Sequence, residues 1–358
     1  MVSAGFGGER APLLPQTPPR LRFDDCAFAE SAGLHALASA YTTGEMLLGL
    51  VLVALAACSW GTTGSAMTLL AREGTSSPFL VGWARMAGAA PCLLLATAVL
   101  RSPASVEGRW SLRDVALTAV LGATMAAYQV CYFWAVPRTG VALTALLAIC
   151  SAPLMITFGA VLFLQERPRA PARVALLLAV TGTGMLLAGP RSLDRLPEGF
   201  VLGVISALGA GLSYAVYTLT AKGLLARAAP LPLAAATFTL AAALLTPVLL
   251  FEREIAHPLA AGWPLLLYLG LVPTAVAYLL FSAGLKRVPA TAAGIATLLE
   301  PLTASALGVL AFGERLGAWG WAGGALLLAA LVLLARERAD NAADGAGGIP
   351  RGPRDPGL

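Results

Sequence analysis

The chain contains 358 residues, of which 58% are hydrophobic and only 12% are charged, and its formal net charge is +5. Soluble domains carry about a quarter charged residues, so this composition excludes an ordinary soluble globule and indicates an integral membrane protein. The Lys and Arg residues form no basic patch interleaved with aromatic residues, and we therefore expect no nucleic-acid partner.

The predicted elements, in chain order, are a tail, ten apolar segments and a second tail. Residues 1–46 and 336–358 mix Pro, Gly and charged residues without helical periodicity, which predicts disordered tails. The segments between them are predicted to span the membrane as helices, because a spanning helix needs about 20 apolar residues and none alternates like a barrel strand. The ten segments lie near residues 47–71, 79–100, 114–136, 140–163, 173–190, 199–221, 231–251, 263–285, 289–312 and 317–335.

The second half of the chain repeats the first. The stretch that begins at Tyr128 aligns in a single register with the stretch that begins at Val276. This register pairs identical residues: Pro153 with Pro301, Glu166 with Glu314, and Arg167 with Arg315. Duplicated membrane units are typical of secondary transporters. We therefore expect an all-α integral membrane protein with ten transmembrane helices, built as two inverted five-helix repeats at 47–190 and 199–335.

The distribution of basic residues predicts the orientation of the chain. Because each repeat has an odd number of helices, the second repeat enters the membrane in the opposite orientation to the first. If the amino terminus is cytoplasmic, the cytoplasmic loops and tails carry most of the 24 Lys and Arg residues, as the positive-inside rule requires. We therefore predict a multi-pass protein of the plasma (inner) membrane with both termini in the cytoplasm.

Two charged residues lie in the interior of predicted spans. Glu300 lies near the middle of the ninth, where an ionised carboxylate costs about 2.5–3.5 kcal/mol on insertion scales. It either binds a proton or a substrate amine, or it is a structural carboxyl bonded to a neighbouring helix; the matching residue of the first repeat is Ala152. Arg85, about two turns inside the second span, either extends to the external interface or faces a cavity. In a cavity it would pair with Glu300 or with a substrate carboxylate.

Pro153 and Pro301 occupy matching positions in the fourth and ninth spans. Each lacks an amide hydrogen and so leaves the carbonyl oxygen four residues earlier without its helical partner. Paired interruptions at corresponding positions of two repeats point to the central site of a transporter, whereas either proline alone would indicate only a packing kink. We predict that both prolines act as hinges.

Polar aromatic residues and one amide form a third group of candidates. They lie in the first, third and sixth spans, with Tyr128, Tyr132 and Tyr217 deepest, and several are spaced three or four residues apart, which places them on shared helix faces. Such residues can line a cavity with apolar rings and polar tips, although near a span end they more often anchor the helix at the interface. The candidate substrate-binding residues in this group are Trp60, Tyr128, Gln129, Tyr132, Tyr214 and Tyr217.

Together these features resemble the EamA family of the drug/metabolite transporter superfamily, over about residues 47–335. The residues that carry the resemblance are Trp60-Gly61, Pro78 followed by Arg85, Gln165-Glu166-Arg167, Glu300-Pro301, and Gly313 to Leu316. One departure is Gln165, where the second repeat has Gly313. The resemblance implies a central cavity walled by helices 1–4 and 6–9, with helices 5 and 10 at the periphery.

These inferences predict a secondary active transporter that exports a small organic solute by alternating access. The solute classes that fit are an amino acid or a related metabolite, with drugs as a further option, and protons are an optional coupling partner through Glu300. Passive facilitation and import remain open. So does a second class, a membrane-embedded enzyme acting on a lipid-linked substrate, which would require clustered acids, histidines or metal ligands at a membrane face.

The chemistry-bearing residue types argue against that second class. The five Cys and two His residues show no metal-ligand spacing, and no nucleotide-binding loop is present. We therefore expect no catalytic residues, no metal, no cofactor and no direct use of ATP. The expected partners are the solute and the lipid bilayer, and the sequence indicates no oligomeric state.

Overall fold

The computed structural model describes residues 43–72, 77–100, 111–187, 198–252, 254–313, 315 and 317–347. Within these residues, all regular structure is helical. Nine of the described helical segments are long and apolar enough to cross a membrane, and a shorter apolar helix lies at Ala170–Leu186. These ten segments match the ten predicted spans and confirm the all-helical fold.

The spans are numbered in chain order, and several are built from more than one helical piece. Span 1 is Thr43–Gly61 and Thr63–Arg72; span 2, Pro78–Val99; span 3, Leu112–Thr139; span 4, Val141–Phe163; span 5, Ala170–Leu187; span 6, Phe200–Leu225; span 7, Pro230–Leu245 with a 3₁₀ turn at Thr246–Phe251; span 8, Trp263–Gly270, a π-helical turn at Leu271–Val276, and Ala277–Arg287; span 9, Ala290–Ala296 and Leu299–Phe312; span 10, Ala318–Gly347. A short helix, Ala256–Ala261, precedes span 8.

The packing of the spans follows the duplication. Span 2 packs against its counterpart, span 7, and span 5 packs against its counterpart, span 10. Span 3 packs against span 6 as span 8 packs against span 1, and span 4 packs against span 6 as span 9 packs against span 1. Exchanging the two repeats leaves this set of pairs unchanged, which is the packing expected of two inverted repeats.

Spans 5 and 10 pack against each other through two facing glycines. A Cβ atom on Gly182 would lie 2.7 Å from the carbonyl oxygen of Gly323, and one on Gly323 would lie 2.6 Å from the backbone nitrogen of Leu186. Small residues of this kind let helices approach closely where lipid supplies no hydrophobic drive for association. The glycines therefore hold this pair together at the edge of the bundle.

Gly182→Ala is expected to destabilise the protein by about 1–3 kcal/mol, because the added methyl group would overlap the backbone of span 10. Gly184→Ala on the same helix is the matched control, since a Cβ there meets nothing within 4 Å and alanine favours the helix. Thermal unfolding of the purified variants measures both changes. Equal unfolding temperatures for the two variants would contradict the close approach of spans 5 and 10.

The chain leaves span 4 and span 9 through the same backbone turn. Gln165 has φ = 55° and Gly313 has φ = 68°, so both adopt the left-handed conformation at corresponding positions. Glycine adopts it freely, whereas a residue with a Cβ atom is strained there by about 1–2 kcal/mol. The departure at Gln165 therefore changes the residue but keeps the turn, which places Glu166 directly after it. Glu314 lies outside the described residues.

The two matched prolines have different local effects. Span 9 is interrupted between Ala296 and Leu299, where the carbonyl oxygen of Thr297 accepts a 3.0 Å hydrogen bond from the amide of Glu300 in place of the donor that Pro301 lacks. Span 4 continues as one helix through Pro153. In span 9 the hydroxyl of Thr297 also donates to the carbonyl of Gly294, at 2.8 Å, a competing bond that the corresponding residue Ile149 cannot make.

The end of span 10 differs from the predicted boundary. The last helix continues to Gly347, whereas the sequence predicts a disordered tail from residue 336. Several alanines follow the end of the predicted span, and alanine has the highest helix propensity, so the helix extends until glycines end it. The other predicted tail residues, 1–42 and 348–358, and most of the joint between the repeats lie outside the described residues.

Candidate functional site

A cavity of about 590 Å³ lies between the two repeats. Its walls come from spans 1, 2, 3, 4, 6, 8 and 9. This matches the wall expected from the family resemblance except for span 7, which packs behind spans 2 and 3. The lining extends from Ala71 and Pro78, at the predicted external end, to residues in the middle of the bundle.

Eight of the predicted site and hinge residues line this single cavity. They are Trp60, Arg85, Tyr128, Gln129, Tyr132, Tyr214, Glu300 and Pro301. Two predicted residues do not line it. Tyr217 lies behind the wall with its ring centroid 5.8 Å from Tyr278 and 6.4 Å from Phe281, and Pro153 is likewise absent from the lining, although its neighbour Ala152 is part of it.

The sequence analysis did not select several polar residues of the wall, among them Tyr278 in span 8 and Thr297 in span 9. Tyr278 has the property that selected the other tyrosines, a polar aromatic side chain deep within a span, so that criterion could have found it. Thr297 lies at the break in span 9, four residues before Pro301, so its carbonyl is the one that the proline leaves without a helical partner. A threonine at such a position indicates an interrupted helix, because its hydroxyl can bond to a nearby backbone carbonyl.

The aromatic side chains of the cavity form a continuous chain of ring contacts. The ring of Trp60 lies with its centroid 4.8 Å from that of Tyr278 and 6.1 Å from that of Tyr214. Tyr214 in turn contacts Tyr128 at 6.3 Å, and Tyr128 stacks on Tyr132 at 5.8 Å. Each ring supplies a large apolar surface at separations favourable for aromatic pairs. This row of contacting rings therefore gives one side of the cavity a rigid and largely apolar surface.

Gly61 fixes the distance between this aromatic wall and span 9. A Cβ atom at Gly61 would lie 2.7 Å from the carbonyl oxygen of Glu300 and 2.6 Å from the Cβ of Thr303. Only glycine allows spans 1 and 9 to approach this closely. The Trp60-Gly61 pair thus places an indole in the cavity and brings span 9 up against it.

Arg85 is only 9% exposed and lines the cavity from span 2. Its Nε donates to the hydroxyl of Thr274 on span 8, at 3.3 Å. Its two terminal nitrogens make no hydrogen bond with any described residue. The side chain therefore faces inward rather than extending to the membrane interface, which excludes the first of the two interpretations of this residue.

Glu300 lines the same cavity from span 9, and its carboxylate accepts no hydrogen bond from the described part of the chain. No nitrogen of Arg85 lies within 4.0 Å of a carboxylate oxygen of Glu300. The two opposite charges thus share a cavity without forming an ion pair. A buried charge is strongly stabilised by a partner, so each of these groups can bind an oppositely charged group of a ligand.

Several buried polar atoms of the wall have no hydrogen-bond partner among the described residues. Three of them, Trp60 Nε1, Gln129 Nε2 and the hydroxyl of Tyr214, belong to residues predicted to bind substrate. An unpaired buried donor costs about 1–3 kcal/mol, so such atoms are favourable sites for the polar groups of a bound molecule. Together with Arg85 they make the cavity rich in donors, with Glu300 as the charged acceptor.

Two charged residues join neighbouring spans at the predicted cytoplasmic end of the bundle. The carboxylate of Glu166, just after span 4, accepts hydrogen bonds from the amides of Ala290 and Thr291 and from the hydroxyl of Thr291, at 2.6–3.1 Å. Lys222 of span 6 donates to the carbonyl oxygens of Leu285 and Val288, both at 2.7 Å. A carboxylate at a helix start and an ammonium at a helix end are favourable arrangements.

Comparison with known proteins places the chain in a family. A model of the EamA-like transporter family matches residues 47–188 and 201–336. The protein named "Uncharacterized transporter YwfM" of Bacillus subtilis (strain 168) is 39% identical over 296 residues, which cover 82% of this chain and 96% of that protein. A "Probable terminal-alkyne amino-acid exporter" of Streptantibioticus cattleyicolor is 27% identical over 245 residues, which cover 68% of this chain and 80% of that protein.

The fold is also that of a solved structure. A crystal structure with 22% sequence identity superposes with a TM-score of 0.66 and covers 81% of this chain and 97% of that one. The two family matches coincide with the two predicted repeats to within a few residues. The chain is a multi-pass membrane protein and belongs to the EamA-like transporter family.

Proposed function

We propose that the protein is a secondary transporter that exports a small zwitterionic solute, an amino acid or a related metabolite, across the inner membrane. The observation that carries this proposal is the arrangement of Arg85 and Glu300, which face one cavity from different repeats without pairing with each other. An α-amino acid offers a carboxylate to the first and an ammonium group to the second.

The energetics favour a ligand with both charges. A solute with only a carboxylate would leave the partly buried Glu300 unpaired in the cavity, and a solute with only an amine would leave the buried Arg85 unpaired, which costs several kcal/mol. Arginine also binds a carboxylate through two parallel hydrogen bonds, which adds geometric specificity. The cavity therefore selects against solutes with a single charge.

Size and lining agree with this class of solute. A volume of about 590 Å³ is within the range of small-molecule sites, roughly 300–1,000 Å³. The aromatic wall around Trp60 offers an apolar surface for a side chain, and the unpaired donors of Gln129 and Tyr214 offer further hydrogen bonds. The exporter of Streptantibioticus cattleyicolor is named for an amino-acid substrate, which supports both the solute class and the direction.

The transport cycle that we propose is alternating access of the cavity to the two sides. With both termini in the cytoplasm, the cavity extends toward the external side, and the bonds of Glu166 and Lys222 close the cytoplasmic side. In the opposite state these bonds break and the repeats rock about the site. Span 9, already interrupted before Pro301, is the proposed hinge, with Pro153 as its counterpart in span 4.

Binding of matched ligands to the purified protein tests the proposal. We expect at least one of the twenty L-amino acids to raise the unfolding temperature, because a ligand at 100 times its Kd adds about 2.7 kcal/mol to stability. The matched amine without the carboxylate and the matched acid without the amine should each bind at least tenfold more weakly. Arg85→Gln should remove the preference over the amine, and Glu300→Gln the preference over the acid.

Two results would contradict the proposal that the solute is zwitterionic. One is equal stabilisation by an amino acid and by its single-charge analogues. The other is an absence of stabilisation by any amino acid at millimolar concentrations, combined with stabilisation by a solute of another class.

A further inference from the structure

The hydrogen bond between Arg85 and Thr274 depends on an irregular turn in span 8. This span contains a π-helical turn, Leu271–Val276, and Pro273 within it has no amide hydrogen to give to the carbonyl oxygen of Leu269. The hydroxyl of Thr274 donates to that oxygen instead, at 2.7 Å. π-Helical turns occur frequently at functional sites, and this one satisfies its freed carbonyl with a side chain.

The same hydroxyl is the partner of Arg85. Because the hydrogen of Thr274 Oγ1 points to Leu269, the lone pairs of the oxygen are left to accept from Arg85 Nε, at 3.3 Å. Thr274 is fully buried, so its position is fixed by the surrounding packing. The guanidinium group is thereby held at Nε, while its two terminal nitrogens make no hydrogen bond with any described residue.

The approach of spans 2 and 8 makes this contact possible. A Cβ atom on Gly270 would lie 3.3 Å from the Cα of Gly88, so the two backbones are close together. Gly88 is three residues after Arg85, and Gly270 is four residues before Thr274. Each glycine is therefore about one helical turn from the residue whose side chain bridges the two spans.

We propose that Thr274 is a positioning residue for the carboxylate end of the solute, acting through Arg85. It fixes the plane of the guanidinium group so that both terminal nitrogens can bind one carboxylate. This inference rests on the proposed function and adds a residue that does not itself line the cavity. The first repeat offers no counterpart, since Met125 and Ala126 occupy the positions that match Pro273 and Thr274.

The test compares Thr274→Val, which keeps the shape of the side chain and removes the hydroxyl, with Thr274→Ser, which restores it. The first readout is the exchange of the Arg85 Nε–H with water, followed by NMR in protein labelled with ¹⁵N-arginine, where Arg85→Lys identifies the signal. We expect exchange at least tenfold faster in Thr274→Val and close to the original rate in Thr274→Ser.

The second readout is the affinity for the stabilising L-amino acids relative to the matched amines that lack the carboxylate. Thr274→Val should lower the amino-acid affinity about tenfold and leave that for the amine unchanged, and Thr274→Ser should restore the ratio. Thr239→Val is the control, because it also removes a hydroxyl that donates to a backbone carbonyl, that of Ala235, but contacts no arginine.

The outcomes separate this inference from the proposed function. Unchanged Nε–H exchange in Thr274→Val, or equal losses for amino acids and amines, would overturn the positioning role. If no amino acid stabilises the original protein, the zwitterion proposal fails. The exchange measurement then still decides whether Thr274 holds Arg85.

Discussion

Glu300→Gln is expected to abolish transport driven by a proton gradient while leaving solute exchange measurable at high solute concentration. The substitution keeps the size of the side chain and removes the charge that pairs with an ammonium group. Hydrogen bonds to charged groups contribute about 1.5–3 kcal/mol, so we expect the affinity for amino acids to fall about ten- to hundredfold. We propose that Glu300 also exchanges a proton for the solute, and gradient-driven transport is then lost because the amide cannot do so.

Uptake into proteoliposomes measures both effects, with an imposed pH gradient in one series and internal solute in the other. Glu252→Gln is the matched control, since this carboxylate lies at the predicted external end, where it accepts from the hydroxyl of Ser77 and not within the cavity. It should transport like the original protein. Gradient dependence that survives in Glu300→Gln would show that Glu300 is not the coupling group.

Glu166→Ala is expected to move the protein from the state with a closed cytoplasmic end toward the opposite state. The substitution removes three hydrogen bonds to a carboxylate that join the end of span 4 to the start of span 9. Since each such bond contributes about 1.5–3 kcal/mol and 1.4 kcal/mol is a tenfold change, the population open to the outside should fall at least tenfold.

Accessibility of a cysteine in the cavity measures that population. Ser305→Cys, on a protein without its five native cysteines, places a thiol in the cavity wall of span 9. A membrane-impermeant thiol reagent added outside should label it at least tenfold more slowly when Glu166→Ala is present. Arg227→Gln is the control at the same end, because its ion pair with Asp114 involves a half-exposed arginine and is screened by solvent.

Equal labelling with and without Glu166→Ala, in protein that remains folded, would argue against the cytoplasmic closure. Labelling that changes equally in Arg227→Gln would instead assign the effect to the general charge of that surface. Only a change confined to Glu166→Ala supports the role of its three hydrogen bonds.

The scaffold was predictable from the sequence because its signals are local. Apolar length defines the spans, and the repeat of Pro153 and Glu166 at Pro301 and Glu314 reveals the duplication without any knowledge of packing. The same symmetry misled in one respect. Matched prolines predicted matched interruptions, but the break in span 9 also uses the hydroxyl of Thr297, for which the first repeat has no equivalent.

The site was predictable only in part because it departs from the symmetry of the scaffold. Arg85 and Glu300 were identifiable as ionisable residues in lipid, yet their separation depends on how spans 2 and 9 pack. Tyr217 is three residues after Tyr214 and was therefore expected on the same helix face, but only Tyr214 lines the cavity. Thr274 was not selected because the repeat comparison emphasises positions that match, and its role depends on the unmatched Pro273.

A structure determined with a stabilising amino acid tests the central claim most directly. We expect the carboxylate of the amino acid within hydrogen-bond distance of the terminal nitrogens of Arg85, its ammonium group on Glu300, and its side chain against the rings around Trp60. A direct ion pair between Arg85 and Glu300, with the amino acid bound elsewhere, would contradict it.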